Sequence, residues 1–233
     1  MSGAVPHRFA GQAVVVVGGS RIAAAVVARL TAEGAMIVHH QDAAALADPQ
    51  VAVALFDDVV GRHGRMHRLV HVPEIVTRGP AAMADPTDWH AAMDGTALST
   101  WNAVRLGAER MKAEGGSIVT VGGATAFVGV PGLSIASAAA GAIVALSRSL
   151  ALEYTPSVRI NCVPVGWIDG DPLGNWYVEA DPNRLLAMDG SFTLADRLGT
   201  VEEVAGVVAF LLSDEASSLL GNYVFADGGY SVR

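Results

Sequence analysis

Lysine is nearly absent from this chain. Of its 15 basic residues only Lys112 is a lysine, and the other 14 are arginines. Any chemistry that needs a lysine side chain must therefore use Lys112. This residue lies near the end of a predicted helix, where a lysine normally serves as a solvated surface group.

Cysteine and long apolar runs are also scarce. The single cysteine, Cys162, cannot form an internal disulfide, and the residues before Ala13 lack the basic and then apolar pattern of a signal peptide. We see no apolar run close to the roughly 20 residues that a bilayer-spanning helix needs. We therefore expect a soluble, cytoplasmic protein that has no disulfides and does not enter a membrane.

The bulk composition indicates one globular domain. The chain has 233 residues, of which 52% are hydrophobic, and this is enough for a single α/β domain over residues 1–233. A net charge of -8 argues against nucleic acid or an anionic membrane as the main partner, because both favour clustered lysine and arginine. We expect no metal site.

Predicted strands and helices alternate along the chain. Short β-branched runs predict strands, and Ala- and Leu-rich segments with helical spacing predict helices. The predicted strands are 13–17, 36–40, 69–72, 117–121, 159–163 and 222–226, and the predicted helices are 22–33, 51–63, 85–114, 137–154 and one capped by Thr200 that ends at Leu212. This alternation predicts a Rossmann-like, doubly wound parallel sheet with helices on both faces and ligands at the carboxyl ends of the strands.

The connection after the second strand is too short for a full crossover. If the next helix begins at Val51, only nine residues, 42–50, remain for another helix and strand. A parallel crossover alone needs about a dozen residues. We therefore predict that the helix after the second strand is missing and that the third strand of a complete Rossmann sheet is reduced or absent.

Several local strings resemble the short-chain dehydrogenase/reductase family, and the resemblance covers essentially the whole chain. These strings are Gly115–Val121, Pro131–Ser134, Leu146–Glu153, Val158–Asn161, Arg197–Thr200, Glu202–Val204 and Asp227–Gly229. Each resembles part of the family's scaffold. The resemblance implies the same fold and, in an intact member, hydride transfer with NAD or NADP.

The positions that carry the family's chemistry depart from its pattern. The resemblance implies a tyrosine proton donor, a lysine four residues later, a serine that holds the carbonyl and an asparagine that supports a water relay. In this chain the corresponding residues are Ala136, Ala140, Gly123 and Thr96. We therefore expect a degenerate member with no catalytic residues at these positions.

The cofactor turn is altered as well. The remnant of the glycine-rich turn is Gly18-Gly19-Ser20-Arg21, which is one residue short and has alanine where later glycines belong. An ordinary strand-to-helix turn would have the same appearance. Gln41 replaces the residue that would hold the ribose, with Asp42 beside it, and His71-Val72-Pro73-Glu74 replaces the Asn-Asn-Ala-Gly turn. We expect no cofactor to bind.

These observations favour a non-catalytic subunit. We expect it to form a dimer or tetramer with an active family member through helices 137–154 and 87–114 and the C-terminal strand. The chain resembles the inactive subunits of hetero-oligomeric dehydrogenases, such as the one in the β-oxidation-like breakdown of benzylsuccinyl-CoA. By this resemblance it would belong to an NAD-dependent dehydrogenase of the 3-hydroxyacyl type.

Two other functions stay open. One is a recruited lyase, isomerase or cyclase that uses the old cleft, with His71, Glu74, Asp94 and Tyr177 as candidate acids and bases and with Trp167 and Trp176 as an apolar lining. Each of these residues also has an ordinary structural interpretation. Of the four tyrosines we expect only Tyr177 to face a pocket. The other function is a ligand sensor or regulator.

Overall fold

The computed structural model describes residues 3–74, 77–170 and 193–232 and places a parallel sheet at their centre. Its five strands are β1 (Ala13–Val17), β2 (Met36–His40), β3 (Arg68–His71), β4 (Gly116–Gly123) and β5 (Val158–Val165). The strand order is β2-β1-β3-β4-β5, and every neighbouring pair is parallel. The predicted parallel sheet is confirmed.

Helices cover both faces of this sheet. They are α1 (Arg21–Ala32), α2 (Pro49–His63), α3 (Pro86–Ala92), α4 (Ser99–Met111), α5 (Ser134–Tyr154) and α6 (Val201–Leu212). One apolar cluster joins α1 and α6 to the sheet, and a second joins α2, α4 and α5 to its other face. Covering on both sides explains why all five residues of β1 are fully buried.

Side-chain caps set the starts of two helices where the sequence predicts them. Asp85 accepts the backbone N–H of Thr87 at 2.8 Å, and the Asp88 carboxylate accepts the N–H of Asp85. Thr200 and Glu203 form the same reciprocal pair at the start of α6. Such capping boxes satisfy backbone donors that have no partner within the helix.

The predicted deletion after β2 is confirmed. Between β2 and α2 the chain forms only a short 3-10 turn, Ala44–Ala47. The Asn102 amide on α4 holds this turn by donating to the carbonyls of Leu46 and Ala47 at 2.9 and 3.0 Å. Within the described ranges, no strand pairs with the outer side of β2.

The predicted long helix 85–114 is interrupted in the structure, contrary to expectation. α3 ends at Ala92, a wide turn of π type occupies Met93–Leu98, and α4 then continues to Met111. The Ser99 hydroxyl donates to the carbonyls of Gly95 and Thr96 at 2.8 and 3.1 Å. Side-chain hydroxyls that bond to helix carbonyls in this way compete with the regular backbone ladder.

The predicted last strand is present only as two bridges. Residues 222–226 lie parallel to β5, with Tyr223 opposite Cys162 and Ala226 opposite Val165. Pro164 lies between these bridges and has no N–H to donate to the neighbouring segment. The ladder is therefore broken at its middle.

α5 corrects the expectation that no run is long enough for a membrane. Among the described residues it is the one helix that is long and apolar enough to cross a bilayer by length and composition. Its buried residues include Ala136, Ala139, Ala140 and Ile143, and it packs on β4 and β5. A core helix of a globular domain passes the same test of length and composition, and we interpret α5 as such a helix.

Candidate functional site

A cleft of about 330 Å³ opens at the carboxyl ends of the strands. Ligands of doubly wound sheets normally bind at this edge. Four loops and two further side chains form its lining: Gly19–Ile22, Val72–Glu74, Val121–Thr125, the segment from Val165 to Gly170, Leu133 and Tyr230. The cleft therefore lies where a doubly wound sheet would hold its ligand.

The first glycine of the turn after β1 is required by the fold. Gly18 has φ 140°, and a Cβ atom built there would lie 2.4 Å from the carbonyl oxygen of Val72. No other residue tolerates both conditions. The Gly18 carbonyl also pairs with Nε2 of His39 at 2.8 Å. Gly18 thus serves to bring β1 and β3 close together whether or not a phosphate binds.

Arg21 lies across the mouth of the cleft. It is the first residue of α1, which Ser20 caps by accepting the N–H of Ala23 at 3.3 Å. Its Nη1 donates to the carbonyl of Asp169 at 3.3 Å. A Cβ built on Gly170 would lie 1.5 Å from that nitrogen, so the guanidinium rests against Gly170. An arginine thereby connects α1 to the segment after β5.

The turn does not suit a diphosphate. A Cβ built on Gly19 would lie 2.9 Å from the carbonyl oxygen of Gln41 and 3.4 Å from Oε1 of Glu74. Two oxygen acceptors, one of them a carboxylate, therefore crowd the place where phosphate oxygens would have to approach the backbone. Like charges at such distances repel one another.

The residues after β2 form a short capped turn in place of a helix. Asp42 accepts the N–H of Ala45 at 3.1 Å and caps this turn. Leu46 in that turn is fully buried. In the part of the chain that the structure describes, no residue of 41–48 lines the cleft. The described residues 41–48 therefore offer the cleft no side chain that could hold the ribose of a nicotinamide dinucleotide.

Ala136, at the tyrosine position, lies inside an apolar cluster. It is fully buried and packs with Val130, Leu133 and Trp167. Tyr230 closes this cluster, with its ring 5.8 Å from that of Trp167 in an edge-to-face arrangement. The surroundings of this position are therefore apolar and aromatic, and Ala136 itself has no proton to donate.

Gly123 and Ala140, at the serine and lysine positions, face each other. A Cβ built on Gly123 would lie 3.5 Å from that of Ala140 and 3.0 Å from Oγ1 of Thr125. Ala140 is fully buried. The hydroxyl of Thr125 consequently lies next to the site of the missing serine, and Thr125 lines the cleft.

Thr96, at the asparagine position, does not line the cleft. It is buried in the wide turn before α4, and its hydroxyl donates to the carbonyl of Ala92 in its own helix. The wide turn packs against α5. Thr96 therefore has a local structural role.

The candidate acids and bases of the alternative function are separated by the structure. His71 is fully buried beneath the short turn, with Nδ1 3.2 Å from the Thr100 hydroxyl. Burial lowers the pKa of His71 to about 3. Asp94 is exposed on the wide turn, whereas Glu74 and Trp167 do line the cleft. Tyr177 and Trp176 lie outside the described residues.

Two residues of the cleft escaped the sequence analysis. Tyr230, which we expected only to flank the last strand, lines the cleft, because Asp227 accepts the N–H groups of Gly229 and Ser231 and turns the chain back. The one sequence signal that could have identified Thr125 is weak: it is a hydroxyl residue two positions after Gly123. Lys112 is exposed and pairs with Glu109, as expected of a surface lysine.

Residues 7–231 match the model of a protein family described as enoyl-(acyl carrier protein) reductase. A solved structure with a similar fold is the ligand-free aldohexose dehydrogenase of Thermoplasma acidophilum. It is 25% identical, with a TM-score of 0.87 over 97% of this chain and 96% of that chain.

Two curated relatives come from Xanthobacter autotrophicus. The 2-(S)-hydroxypropyl-CoM dehydrogenase 3 is 31% identical over 197 residues, which cover 82% of this chain and 75% of the relative. A protein named inactive 2-(S)-hydroxypropyl-CoM dehydrogenase 2 is 31% identical over 166 residues, which cover 70% of this chain and 67% of the relative.

Proposed function

The chain belongs to the short-chain dehydrogenase/reductase family of oxidoreductases, and from this premise we propose that it is a member that no longer transfers hydride. In this proposal the chain serves as a non-catalytic subunit that stabilises or regulates an active, NAD-dependent relative. We expect it to act in the cytoplasm, and we expect neither nucleic acid nor a membrane among its partners.

One observation carries the proposal: the tyrosine position holds a buried alanine. Ala136 is fully buried and packs in one apolar cluster with Leu133 and Trp167, and its methyl group can neither donate a proton nor form a hydrogen bond. General acid catalysis needs a donor within hydrogen-bond reach of the reacting oxygen. Nothing at Ala136, Ala140 or Gly123 meets that requirement.

The cofactor side of the cleft supports the same conclusion. Arg21 spans the mouth, the Glu74 carboxylate lies beside the phosphate turn, and the short turn at Ala44–Ala47 replaces the wall that would hold adenosine. The changes on the cofactor side and the changes at the acid and base positions lie in different parts of the chain. Restoring one would therefore not restore hydride transfer.

The outer face of α4 and α5 supports association with another chain. On α4, Trp101 is 41% exposed and lies beneath the guanidinium of Arg105, whose Cζ is 4.2 Å from the ring centroid. On α5, Leu152 is 80% exposed and follows a stripe with Ala142 and Ala145. Small residues let a facing helix approach closely, and exposed apolar groups favour burial by a partner.

The proposal has precedent among the relatives. Two Xanthobacter relatives are both named 2-(S)-hydroxypropyl-CoM dehydrogenase, and one of the two is named inactive. We propose that this chain is similarly inactive and that its partner is an active family member. The partner would bind through α4, α5 and the segment 222–226.

Affinity purification from the native host tests this function. We expect the chain to be recovered in a defined complex with a family member that has the tyrosine, lysine and serine, and we expect dehydrogenase activity only in preparations that contain that partner. Recovery of the chain by itself, as a stable monomer, would contradict the proposal. Turnover of an alcohol or carbonyl by the isolated chain would contradict it more directly.

A second candidate function is a lyase, isomerase or cyclase without redox chemistry. The observation that favours it is the open cleft, in which Glu74 and Thr125 provide a carboxylate and a hydroxyl beside an apolar wall. His71 and Asp94 do not contribute, because neither lines the cleft. Conversion of a candidate substrate that disappears in Glu74→Gln, in the absence of any nicotinamide cofactor, would favour this function.

A further inference from the structure

The cleft has a preformed apolar wall. Its buried apolar side chains are Val72, Val121, Leu133, Trp167 and Ile168, each no more than 5% exposed. At about 330 Å³ the cleft is at the lower end of the range of small-molecule sites, which are mostly apolar with a few placed polar groups. The edge-to-face packing of Trp167 and Tyr230 fixes one side of the wall. The space therefore suits a compact apolar body.

A cation without a carboxylate partner borders this space. Arg21 makes its hydrogen bond through Nη1 to the Asp169 carbonyl, and none of the described ion pairs includes Arg21. Within the described residues, the backbone N–H groups of Arg21 and Ile22 likewise have no protein acceptor. A guanidinium and the first N–H groups of a helix together favour an anion.

Glu74 limits the charge of that anion. Its Oε1 lies 3.4 Å from a Cβ built on Gly19, directly beside the turn that precedes Arg21. The Glu74 carboxylate beside this turn offsets part of the positive potential that Arg21 and the helix terminus provide. A single negative charge is therefore accommodated better than the multiple charges of a phosphate ester or diphosphate.

Thr125 adds a polar group on the floor of the cleft. Its Oγ1 lies beside Gly123, and the described residues offer it no hydrogen-bond partner. A hydroxyl both donates and accepts a hydrogen bond. It would orient a ligand that carries one polar atom at the end that enters the cleft.

We infer that this cleft binds a small organic monocarboxylate with an aromatic or branched apolar body. Arg21 and the start of α1 hold the carboxylate, and the wall formed by Leu133, Trp167 and Tyr230 holds the body. The inference does not depend on catalysis or on a partner chain, because every group that carries it belongs to this chain.

Titration calorimetry on the purified chain tests the inference with cinnamate, phenylacetate and 4-methylpentanoate as probes. We expect at least one acid to bind saturably, and we expect its neutral amide to bind at least tenfold more weakly, which corresponds to about 1.4 kcal/mol. The absence of saturable binding by all three acids at millimolar concentrations would overturn the inference. Equal binding of the acid and the amide would also overturn it.

Matched variants locate the site. We expect Arg21→Gln to weaken acid binding at least tenfold and Thr125→Val to weaken it less, whereas Arg62→Gln, on exposed α2, should bind as the wild type does. We expect Glu74→Gln to allow phenyl phosphate to bind. Unchanged binding by Arg21→Gln would show that the acid does not bind where we place it.

Carboxylate binding and the proposed non-catalytic function can fail independently. Hydride transfer by the isolated chain would contradict the non-catalytic subunit and leave carboxylate binding to be judged by its own titration. Failure of all three acids would remove the ligand site without altering the loss of the acid and base.

Discussion

At the scale of single residues, the proposed loss of hydride transfer rests on three small residues. We propose that Ala136, Ala140 and Gly123 stand where an active member has a hydroxyl acid, an amine and a second hydroxyl. Ala136 packs in an apolar cluster with Trp167, and Gly123 lies against Ala140 and Thr125. A larger side chain at Ala136 would therefore have to displace its neighbours.

Ala136→Tyr should destabilise the protein without creating activity. Overpacking of a closed core typically costs about 1–3 kcal/mol, because Leu133 and Trp167 must move. Urea unfolding measures this, with Ala91→Tyr on exposed α3 as the matched control. The double variant with Ala140→Lys should also show no oxidation of alcohols by NAD or NADP. Measurable turnover would show that the cofactor site is intact.

His71 should make stability depend on pH. Burial lowers its folded pKa to about 3 from an ordinary 6.5, so the unfolded chain binds more protons between these values. The stability that the neutral imidazole confers is complete above pH 6.5 and falls as the pH drops towards 3, by at most about 1.4 kcal/mol per pH unit.

The slope of unfolding free energy against pH checks this expectation. His71→Gln should be flatter than the wild type between pH 6 and pH 4, whereas His90→Gln, at an exposed position, should keep the wild-type slope. An identical slope in the wild type and His71→Gln would show that the imidazole is protonated in the folded protein.

Sequence reasoning assigns the altered positions from local strings, and it could not describe their surroundings. The string Pro131–Ser134 aligns Ala136 and Ala140 with the family's pattern. Such an alignment uses only neighbouring residues and says nothing about contacts with distant ones. The contact of Tyr230 with Trp167 joins residues that lie 63 positions apart in the sequence, so no local pattern could reveal it. The side-chain direction of Arg21 likewise depends on the distant loop at Asp169.

At the scale of elements, the capped starts of α3 and α6 were predictable because their signals are local, whereas α5 begins at Ser134, ahead of its predicted start at Ser137. Thr200 and Glu203 lie three residues apart and cap α6 wherever it packs. The shortened connection after β2 was predictable from length alone. The wide turn at Met93–Leu98 was not predictable, because it depends on hydrogen bonds that form only in the folded chain. The interruption opposite Pro164 was missed because the residues that face this proline are known only from the folded sheet.

Arg159 should be required for the docking of α6 on β5. Its guanidinium donates to the carbonyls of Leu211, Leu212, Ser213 and Ala216 at 2.8 to 3.1 Å, which satisfies the end of the helix. Arg159→Met should lower the free energy of unfolding by about 2–4 kcal/mol, because hydrogen bonds to charged groups contribute roughly 1.5–3 kcal/mol each and are not additive.

Urea unfolding with an unchanged m-value would confirm that loss. The control is Arg197→Met, which removes an exposed pair with Glu203 at the other end of α6 and should cost about 0–1 kcal/mol. Equal effects of the two substitutions would contradict the role of Arg159.

At the scale of the whole molecule, the face of α4 and α5 should hold the chains of an oligomer together. Ala145→Glu places a charge on the exposed stripe of α5 and should yield monomer or aggregate, since an unpaired charge is costly to bury. Light scattering after size exclusion measures the mass. Ala32→Glu, on the opposite side of the sheet at the end of α1, should leave the mass unchanged.

A wild-type protein that is a well-behaved monomer, with and without a candidate partner, would contradict this interface. That result would instead favour the second candidate function, a lyase, isomerase or cyclase, which needs the cleft but no second chain.

The absence of cofactor binding is the central claim, and titration calorimetry of the purified chain tests it most directly. NAD, NADH, NADP and NADPH are titrated separately, with an intact family member as the positive control. The absence of residues 41–48 from the lining of the cleft and the Glu74 carboxylate beside Gly19 predict no saturable heat up to millimolar concentrations. Saturable binding of any of the four at micromolar concentration would contradict the account.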